Sequence, residues 1–393
     1  MNILFITKNF YIGGIAIVTA YLANKFQRAG HNVAIWNFTR TEISSQDKID
    51  KNIKVEFGYG LRPSNNNIKS LRAAIINNKI DVVINQTGLS FFLAYTVRKA
   101  TKGLNVKLIS VFHNDPSTNA RIQSVDIDIA KTNSAFKKHY LKIKRHLYKM
   151  ITATSMRYVF HRSDIYVLLS KSFINGFKDF TGVKDTRKIC SITNPITIDT
   201  ANYIFDTNKK QKDVVYVGRL DPNQKRVHRV LETWKLIEKK HSDWTLRIVG
   251  DGNERKELER LIEQYSMRNV RLEGFKEPRP YYEKASVLLL TSEYEGFGLV
   301  IVEGMSFGVV PIVLGSYSAV HDIIEDDKDG FIIPYCKQKG FVAKDMADQL
   351  EFLISNEDKR NEMALAAIEK SKMFSIDKIC DDWMNLFDRL NVK

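Results

Sequence analysis

Two cations stand where a predicted strand gives way to a predicted helix. The strand Asp213–Val217 ends in Gly218-Arg219, and after a short polar turn Lys225 begins a helix predicted to reach Lys240. Arginine offers a planar fork for phosphate oxygens, lysine offers a point charge, and a helix N-terminus adds oriented N–H groups. The spacing indicates an anion site suited to a diphosphate, although an ordinary surface arginine and lysine would have the same residue types.

Two glutamates, Glu295 and Glu303, lie eight residues apart across a predicted strand-loop-helix junction. Between them, Gly296 and Gly298 let the backbone approach a ligand closely. Carboxylates accept hydrogen bonds from vicinal hydroxyls, which sugars and ribose both supply. Glu303 falls within an apolar helix, where a carboxylate needs a partner. The alternative, an acidic pair placed for the helix dipole, leaves the glycines and the apolar flanks unexplained.

Strands and helices alternate along the whole chain, which predicts parallel sheets covered on both faces. Ligands of such sheets bind beyond the carboxyl ends of the strands, which is where both motifs stand. The predicted buried strands are Asn2–Thr7, Val33–Trp36, Asp81–Ile84, Lys107–Phe112, Ile165–Leu169, Asp213–Val217, Thr245–Val249, Val270–Leu272, Val287–Leu290 and Val309–Ile312.

A chain of 393 residues exceeds what one hydrophobic core supports, so we expect two doubly wound α/β domains. We assign residues 1–195 to the first domain, 196–373 to the second, and 374–393 to a segment containing a last helix at about Ile376–Leu390. Residues 1–195 hold 30 Lys and Arg against 11 Asp and Glu, a net charge of +19, whereas residues 196–393 carry −4. A polyanionic partner is therefore expected at the first domain.

Together these motifs resemble the GT-B fold retaining glycosyltransferases of family 4, the glycosyl transferases group 1 type. Gly218, Arg219 and Lys225, followed by Glu295 and Glu303, carry the resemblance. It implies two Rossmann-like domains facing a central cleft, with the last helix returning to the first domain. Weaker motifs in matching order extend it over nearly the whole chain: Gly13-Gly14-Ile15, Val111-Phe112-His113, Tyr166–Ser170, Asn194-Pro195, residues 248–252 and Gly274-Phe275.

The resemblance also implies roles for individual residues. Arg219 and Lys225 would bind the donor diphosphate, and the Gly13-Gly14 loop would close over it. Glu303 would hold the ribose, Glu295 the transferred sugar, and His113 would lie beside the reacting sugar. Residues after Gly274 would face the base. The candidate catalytic residues are His113, Arg219, Lys225 and Glu295, and the candidate donor-binding residues are Gly13, Gly14, Gly218, Arg219, Lys225, Gly274, Phe275, Glu295, Gly296, Phe297, Gly298, Leu299 and Glu303.

The expected donor is a nucleotide-diphosphate sugar, a UDP-sugar, with no cofactor and no metal. Asp126-Ile127-Asp128 and Asp327-Lys328-Asp329 match the D-x-D pattern of metal-dependent transferases of another fold, but so short a pattern recurs by chance. Arg219 and Lys225 already supply the positive charge that a metal would bring. A double displacement would need a carboxylate nucleophile, and the sequence identifies none. The resemblance implies instead a reaction on a single face of the sugar, with retention of configuration.

Residues 129–163 contain no Asp or Glu and nine Lys or Arg. At helical spacing Phe136, Tyr140, Ile143, Leu147 and Ile151 share one face. Basic amphipathic helices bind anionic membrane surfaces, whereas a helix packed on the core would turn its basic face to solvent. The apolar face can make only one of these two contacts, and the sequence leaves open which one it makes. The residues predicted to contact a membrane or an acceptor are Lys138, Lys142, Arg145 and Lys149, on the opposite face.

Three separated cysteines, Cys190, Cys336 and Cys380, indicate reduced thiols of a cytosolic protein. We expect a cytoplasmic enzyme that is peripheral at the inner face of the cell membrane and acts on a glycan or lipid-linked glycan acceptor in cell-surface polysaccharide or glycolipid biosynthesis. A nucleic-acid-binding protein would also suit the basic half, but phosphates would be repelled by the two glutamates. A sugar-nucleotide epimerase of the same fold and an inactive sugar-nucleotide-binding protein are further alternatives; the glutamate spacing favours transfer.

Overall fold

The computed structural model describes residues 1–10, 13–40, 48–336 and 338–392. The chain divides into two compact units. Unit 1 comprises Met1–Thr197 and Ser375–Lys393, and unit 2 comprises Ile198–Phe374.

Unit 1 is built on a parallel sheet whose neighbouring strands all run in the same direction. Within the described residues the sheet has seven strands in the order β3-β2-β1-β4-β5-β6-β7. Its strands are β1 (Asn2–Thr7), β2 (Asn32–Asn37), β3 (Lys54–Phe57), β4 (Val82–Asn85), β5 (Lys107–Phe112), β6 (Ile165–Leu168) and β7 (Ile189–Ser191). Its helices are α1 (Gly14–Arg28), α2 (Asn65–Asn77), α3 (Phe91–Thr101), α4 (Ala120–Lys131), α5 (Ala135–Arg162) and α6 (Phe173–Thr181).

Unit 2 repeats this plan with a sheet in the order β10-β9-β8-β11-β12-β13, six parallel strands among the residues described. The strands are β8 (Asp213–Val217), β9 (Thr245–Val249), β10 (Val270–Gly274), β11 (Val287–Leu290), β12 (Val310–Leu314) and β13 (Phe331–Ile333). The helices are α7 (His228–Ile237), α8 (Arg255–Gln264), α9 (Arg279–Lys284), α10 (Leu299–Ser306), α11 (Val320–Ile323), α12 (Ala343–Ser355) and α13 (Glu357–Ser371). The predicted fold class, two doubly wound Rossmann-like domains, is confirmed.

The last helix, α14 (Ile376–Arg389), packs on α1 of unit 1. Its apolar face buries Ile379, Trp383 and Phe387, and the Phe387 ring lies 5.8 Å from that of Phe26. A salt bridge between Lys25 and Asp377 joins the exposed edges of the two helices.

The structure differs from the predicted elements at short strands and at one helix start. Strands β3, β7 and β13 have only three or four residues, and β3 and β7 are half-buried, so neither presents an apolar run. The helix predicted to begin at Lys225 begins instead at His228. Arg226 adopts a left-handed conformation with φ of 50°, which interrupts the helix geometry before it.

Candidate active site

Strands β8 and β11 are neighbours in the unit 2 sheet, at the point where the strand order reverses. The loops that follow them therefore meet beyond the carboxyl edge of the sheet, where open α/β sheets bind ligands. Two hydrogen bonds join the loops: Glu293 N–H donates to Gln224 O over 2.7 Å, and the Thr291 side chain donates through Oγ1 to Arg226 O over 3.1 Å.

The loop after β8 is organised by Asp221. Its side-chain Oδ1 accepts the N–H groups of Asn223 and Gln224 over 2.9 and 2.8 Å, and its carbonyl accepts those of Lys225 and Arg226. Aspartate favours such turns because its side chain bonds the backbone two residues on. The loop therefore holds Lys225 in a turn, three residues before α7.

The N-terminus of α7 is occupied by a protein carboxylate. Glu254, only 2% exposed, accepts the N–H groups of Val227 and His228 over 3.0 and 3.2 Å, and lies 2.5 Å from His228 Nδ1. The prediction that this helix end offers its N–H groups to a ligand phosphate is therefore wrong, because two of those donors already bind Glu254. The anion site of this loop depends on its side chains.

Lys225 and Glu295 form an ion pair at this edge of the sheet. The Nζ–Oε1 distance is 2.5 Å, and the two side chains are 15% and 9% exposed. Ser292 Oγ donates to the same oxygen over 2.6 Å. An ammonium has three donors and a carboxylate two acceptor oxygens, so the pair retains capacity for a ligand on both sides. The structure thus brings together two of the predicted catalytic residues.

Arg219 follows Gly218 in the same loop, but its side chain is 63% exposed. Its Nη2 lies 3.0 Å from Gln224 Oε1 and 3.4 Å from Asp221 Oδ2. The guanidinium is thus held by weak surface contacts, and an incoming anion can take their place at little cost.

Sequence reasoning missed a second ion-pair network, which lies next to Lys225 in the chain. Glu293 Oε2 lies 3.2 Å from Arg226 Nε and 3.0 Å from Arg229 Nη2, while Tyr335 Oη donates to Oε1 over 2.8 Å. Glu293 is 5% exposed, so two arginines and a hydroxyl satisfy its buried charge. Burial and the nearby Glu293 charge raise the pKa of Tyr335. Both arginines follow Lys225 closely in the sequence, but this spacing did not reveal which carboxylate each cation binds.

Two glycines that form only weak motifs in the sequence support the loop after β8. A Cβ on Gly250 would lie 1.9 Å from the carbonyl oxygen of Gly218, and φ at Gly250 is +146°. A Cβ on Gly252 would lie 2.4 Å from the carbonyl oxygen of Leu220. Only glycine permits this close backbone approach. Gly250 and Gly252 therefore allow the turn at Gly218-Arg219 to pack against the end of β9.

The loop after β11 leads into α10 through Gly298, whose φ is +95°. A Cβ there would lie 2.8 Å from Tyr317 Oη and 2.9 Å from Ile301 Cδ1, so a side chain does not fit. Burial, and then the Glu295 charge, raise the pKa of Tyr317 well above its ordinary value. Phe297 is 3% exposed and packs on Phe374, so only the backbone of this residue is available to a ligand.

The remaining predicted donor-binding residues of unit 2 lie along the same sheet edge or next to it. Glu303 is buried within α10, and Leu299 is the first residue of that helix. Gly274 ends β10 with φ of +75° and accepts the N–H of Gly250 over 2.8 Å. Phe275, the next residue, is 70% exposed. An exposed aromatic ring at a strand end is suited to stacking on a planar base.

In unit 1, His113 follows β5 and contacts Gln86, which follows the adjacent strand β4. His113 Nε2 lies 2.6 Å from Gln86 Oε1, an oxygen that only accepts, so Nε2 carries the proton. His113 Nδ1 is then an acceptor, and this buried atom has no hydrogen-bond partner among the described residues. Desolvation lowers the pKa of His113 to about 4, so the imidazole is neutral at physiological pH. No sequence motif pointed to Gln86.

Gly13 and Gly14 stand at the start of α1, after β1. The first turn of α1 has no acidic residue, and no side chain caps its N-terminus within the described residues. A Cβ on Gly14 would meet open space. The loop residues before Gly13, Tyr11 and Ile12, lie outside the described residues.

The four basic residues predicted for membrane or acceptor contact lie on α5 but differ in exposure. Lys142 is exposed, whereas Lys138, Arg145 and Lys149 are half-buried. Arg145 Nε lies 2.5 Å from Asp126 Oδ1 on α4, and Lys149 Nζ lies 5.5 Å above the Phe180 ring. Contact through these residues stays a prediction, and two of them already have partners within unit 1.

The described residues contain neither a group of three His, Cys, Asp or Glu side chains arranged for a metal ion nor a helix long and apolar enough to cross a membrane.

Two family models match consecutive parts of the chain. The model for glycosyltransferase family 4 matches residues 12–200, and the model for glycosyl transferases group 1 matches residues 199–370. The chain is similar to the amylovoran biosynthesis glycosyltransferase AmsD of Erwinia amylovora, with 32% identity over 182 residues, 46% of this chain and 49% of the relative. It spans about half the length of the curated relatives that it matches first.

A second relative, from Campylobacter jejuni, is the GalNAc-alpha-(1->4)-GalNAc-alpha-(1->3)-diNAcBac-PP-undecaprenol alpha-1,4-N-acetyl-D-galactosaminyltransferase. It is 31% identical over 183 residues, 46% of this chain and 50% of the relative. Among solved structures, a mutant of Staphylococcus aureus TarM, in complex with fondaparinux, alpha-GlcNAc-glycerol and UDP, matches with a TM-score of 0.74. That match covers 98% of this chain and all of the TarM chain at 17% identity, so it concerns the fold.

Proposed function

Because this chain belongs to the GT-B glycosyltransferases of the group 1 type, we propose that it moves a sugar from a nucleotide-diphosphate sugar, a UDP-sugar, to a glycan or lipid-linked glycan acceptor. The observation that carries the proposal is the Lys225–Glu295 ion pair at the β8/β11 edge. It sets a cation for a diphosphate directly beside a carboxylate for sugar hydroxyls. Cell-surface polysaccharide or glycolipid biosynthesis is the setting that we propose for the reaction.

Catalysis would depend on the charge that develops on the leaving nucleoside diphosphate. As the glycosidic bond breaks, Lys225 and Arg219 stabilise this charge, since preorganised cations act most strongly where charge appears in the transition state. Lys225 keeps one donor on Glu295 and turns the others to phosphate oxygens. Within unit 1, the N-terminus of α1 at Gly13-Gly14 has no side-chain cap and is suited to bind an anion, the role that the resemblance implies for it. These groups replace a divalent metal in the proposed mechanism.

The other side of the pair would hold the transferred sugar. Glu295 Oε1 already accepts from Lys225 and Ser292, so the sugar hydroxyls would donate to the second carboxylate oxygen. Glu303 would bind the ribose hydroxyls, and Phe275 would stack on the base. The resemblance implies that His113 lies beside the reacting sugar, and desolvation keeps its imidazole neutral. Retention would follow from acceptor attack on the face that the diphosphate leaves, with the leaving phosphate taking the acceptor's proton.

The acceptor is proposed to be lipid-linked, presented at the inner face of an anionic membrane. The net charge of +19 on residues 1–195 supports this, because anionic lipids attract juxtamembrane basic surfaces. The Campylobacter relative, which is named for an undecaprenol-linked acceptor, supports it also.

A panel of sugar nucleotides tests the proposal. The wild type is incubated with each donor, without acceptor, and binding and slow hydrolysis are measured. We expect one UDP-sugar to bind and hydrolyse, and Arg219→Ala to lower that rate by roughly 10²–10³. Arg260→Ala is the matched control, because Arg260 is 58% exposed on α8 and pairs with Glu257. Absence of binding to every sugar nucleotide, or equal rates in the two variants, would refute the assignment.

A further inference from the structure

Helix α5 turns a row of large apolar side chains outward. The members recur every three or four residues, so they lie on one face of the helix. Each is at least half exposed: Phe136 86%, Tyr140 59%, Ile143 58%, Leu147 51%, Met150 53% and Ile151 51%. We call these six residues the outward row. The sequence left open whether this face packs on the core, and the structure answers that it does not.

The opposite face of α5 is the one that packs on unit 1. Its second half buries Ala153, Met156, Val159 and Phe160, and Leu141 is buried in its first half. Arg145 pairs with Asp126 of α4 on this side. The orientation of the helix is thus fixed by an apolar contact and an ion pair, and the outward row is left without a partner among the described residues.

The outward row continues onto α3. Tyr158, further along the same face of α5, lies 4.4 Å from the ring of Phe91, and the neighbouring Phe92 is 61% exposed. Ser155 fixes this junction, since its Oγ accepts the Phe91 N–H over 2.8 Å and donates to Leu89 O over 2.5 Å. From Phe136 to Ile151 the row extends over about 22 Å, at about 1.5 Å per residue. The surface is therefore a continuous apolar strip on a rigid support.

The charges around the strip identify its partner. Residues 129–163 hold nine Lys or Arg and no acid, and Lys137 and Lys144 border the outward row about two helical turns apart. A second copy of the chain on this face would bring identical cations together. An anionic bilayer instead supplies hydrocarbon for the row and phosphates for the lysines.

We propose that α5 lies in the surface of an anionic bilayer with its outward row inserted at the headgroup–acyl boundary, about 5–10 Å deep as is typical of such helices. The proposal deepens the proposed function, because it names the surface at which a lipid-linked acceptor would be met. In this proposal the outward row makes the apolar contact with the bilayer. The basic residues on the opposite face, Lys138, Lys142, Arg145 and Lys149, attract the anionic surface only at long range.

Vesicle sedimentation tests the inserted face. Wild-type protein is mixed with phosphatidylcholine vesicles with and without phosphatidylglycerol. We expect binding to the anionic vesicles, and a loss of at least ~10-fold in Ile143→Glu/Leu147→Glu, because two charges would enter the apolar boundary. Leu236→Glu/Leu365→Glu is the matched control, since these leucines are 50% and 58% exposed on helices of unit 2. Wild-type binding by the α5 double variant would overturn the proposal.

Fluorescence measures insertion directly and does not depend on a disruptive variant. The four native tryptophans, Trp36, Trp234, Trp244 and Trp383, are at most 3% exposed. In Leu147→Trp, lipids with brominated acyl chains should quench the added signal, and in Leu365→Trp they should not. Absence of quenching at position 147 would show that the row stays outside the bilayer.

Two further readouts separate the possible failures. Donor hydrolysis by Ile143→Glu/Leu147→Glu with a soluble UDP-sugar should equal that of wild type, so loss of vesicle binding would not be confused with a failure of the proposed function. If sedimentation velocity shows wild-type dimers that this variant dissociates, while wild type ignores anionic vesicles, the outward row is an interface between copies and the membrane proposal is wrong.

Discussion

Lys225 Nζ lies 2.5 Å from Oε1 of Glu295, although 70 residues separate them in the chain. The contact exists because β8 and β11 are adjacent parallel strands whose following loops meet at one sheet edge. Both side chains are largely removed from solvent, so each depends on the other for its charge. The pair is therefore both a structural element of unit 2 and the centre of the proposed donor site.

These two roles can be separated by substitution. Lys225→Met leaves the Glu295 carboxylate without its cation, and we expect it to destabilise the protein by about 3–5 kcal/mol and to lower turnover by roughly 10²–10³. Lys225→Met/Glu295→Gln removes both charges, so denaturant unfolding should show most of the stability recovered while turnover stays low. Recovery of activity together with stability would mean that Lys225 acts only through folding.

Turnover should not depend on a divalent metal, because Lys225 and Arg219 supply the positive charge for the diphosphate. We expect the initial rate in excess EDTA to match that in buffer. Abolition by the chelator, with recovery on Mn²⁺ or Mg²⁺, would contradict this and direct attention to Asp126 and Asp128. Asp126 is paired with Arg145, so Arg145→Gln would then be the variant to examine for altered metal affinity.

The imidazole of His113 should contribute to the pH dependence of stability. Burial lowers its pKa from the ordinary 6.5 to about 4, so between these values the unfolded chain binds a proton that the folded protein does not. The stability contributed by His113 is present above pH 6.5 and is lost as pH falls towards 4. We expect the melting temperature of wild type to fall more over this interval than that of His113→Gln. Parallel curves would place His113 in an ordinary solvated environment.

The hydrogen bond from His113 to Gln86 gives a second readout of the same site. Gln86→Glu sets a carboxylate against the imidazole, which should raise the pKa of His113, as NMR titration of the ring would show. Gln86→Leu, which removes the acceptor without adding charge, is the control. If the titration of His113 is the same in Gln86→Glu and Gln86→Leu, the contact is not formed in solution.

Gly250 should be the least tolerant glycine of the candidate site. An alanine there would place Cβ against the Gly218 carbonyl in a conformation that L residues rarely adopt. We therefore expect Gly250→Ala to lower the free energy of unfolding by at least about 1–3 kcal/mol. Gly176→Ala is the control, since Gly176 lies within α6 and a Cβ there comes no nearer than 3.6 Å to another atom. Thermal unfolding of both compares them, and equal melting temperatures would contradict the close approach.

The strands that position the site follow directly from apolar runs. Asp213–Val217 and Val287–Leu290 are fully buried on both faces, and the sequence predicts both with the bounds found in the structure. The helix at Lys225 was predicted three residues early, because nothing local reveals the left-handed Arg226. Short edge strands such as Ile189–Ser191 bury too little to leave a pattern.

Pairing between distant side chains was beyond the sequence. Glu293 and Glu295 are two residues apart and chemically identical, yet one binds Arg226 and Arg229 and the other binds Lys225. That choice depends on the direction in which each side chain leaves the loop. Likewise, the periodicity of α5 defines its apolar face but not whether that face turns inward, which the packing of Met156 and Phe160 decides.

The central claim is that this chain transfers a sugar from a nucleotide-diphosphate sugar with retention. It is tested most directly by ¹H NMR of the anomeric proton in the product formed from the UDP-sugar that the panel identifies. From a donor with an α-linked sugar, the account predicts an α-linked product from wild type and roughly 10²–10³ less of it from Lys225→Met. A β-linked product would contradict the single-face mechanism, and undiminished transfer by Lys225→Met would contradict the donor site.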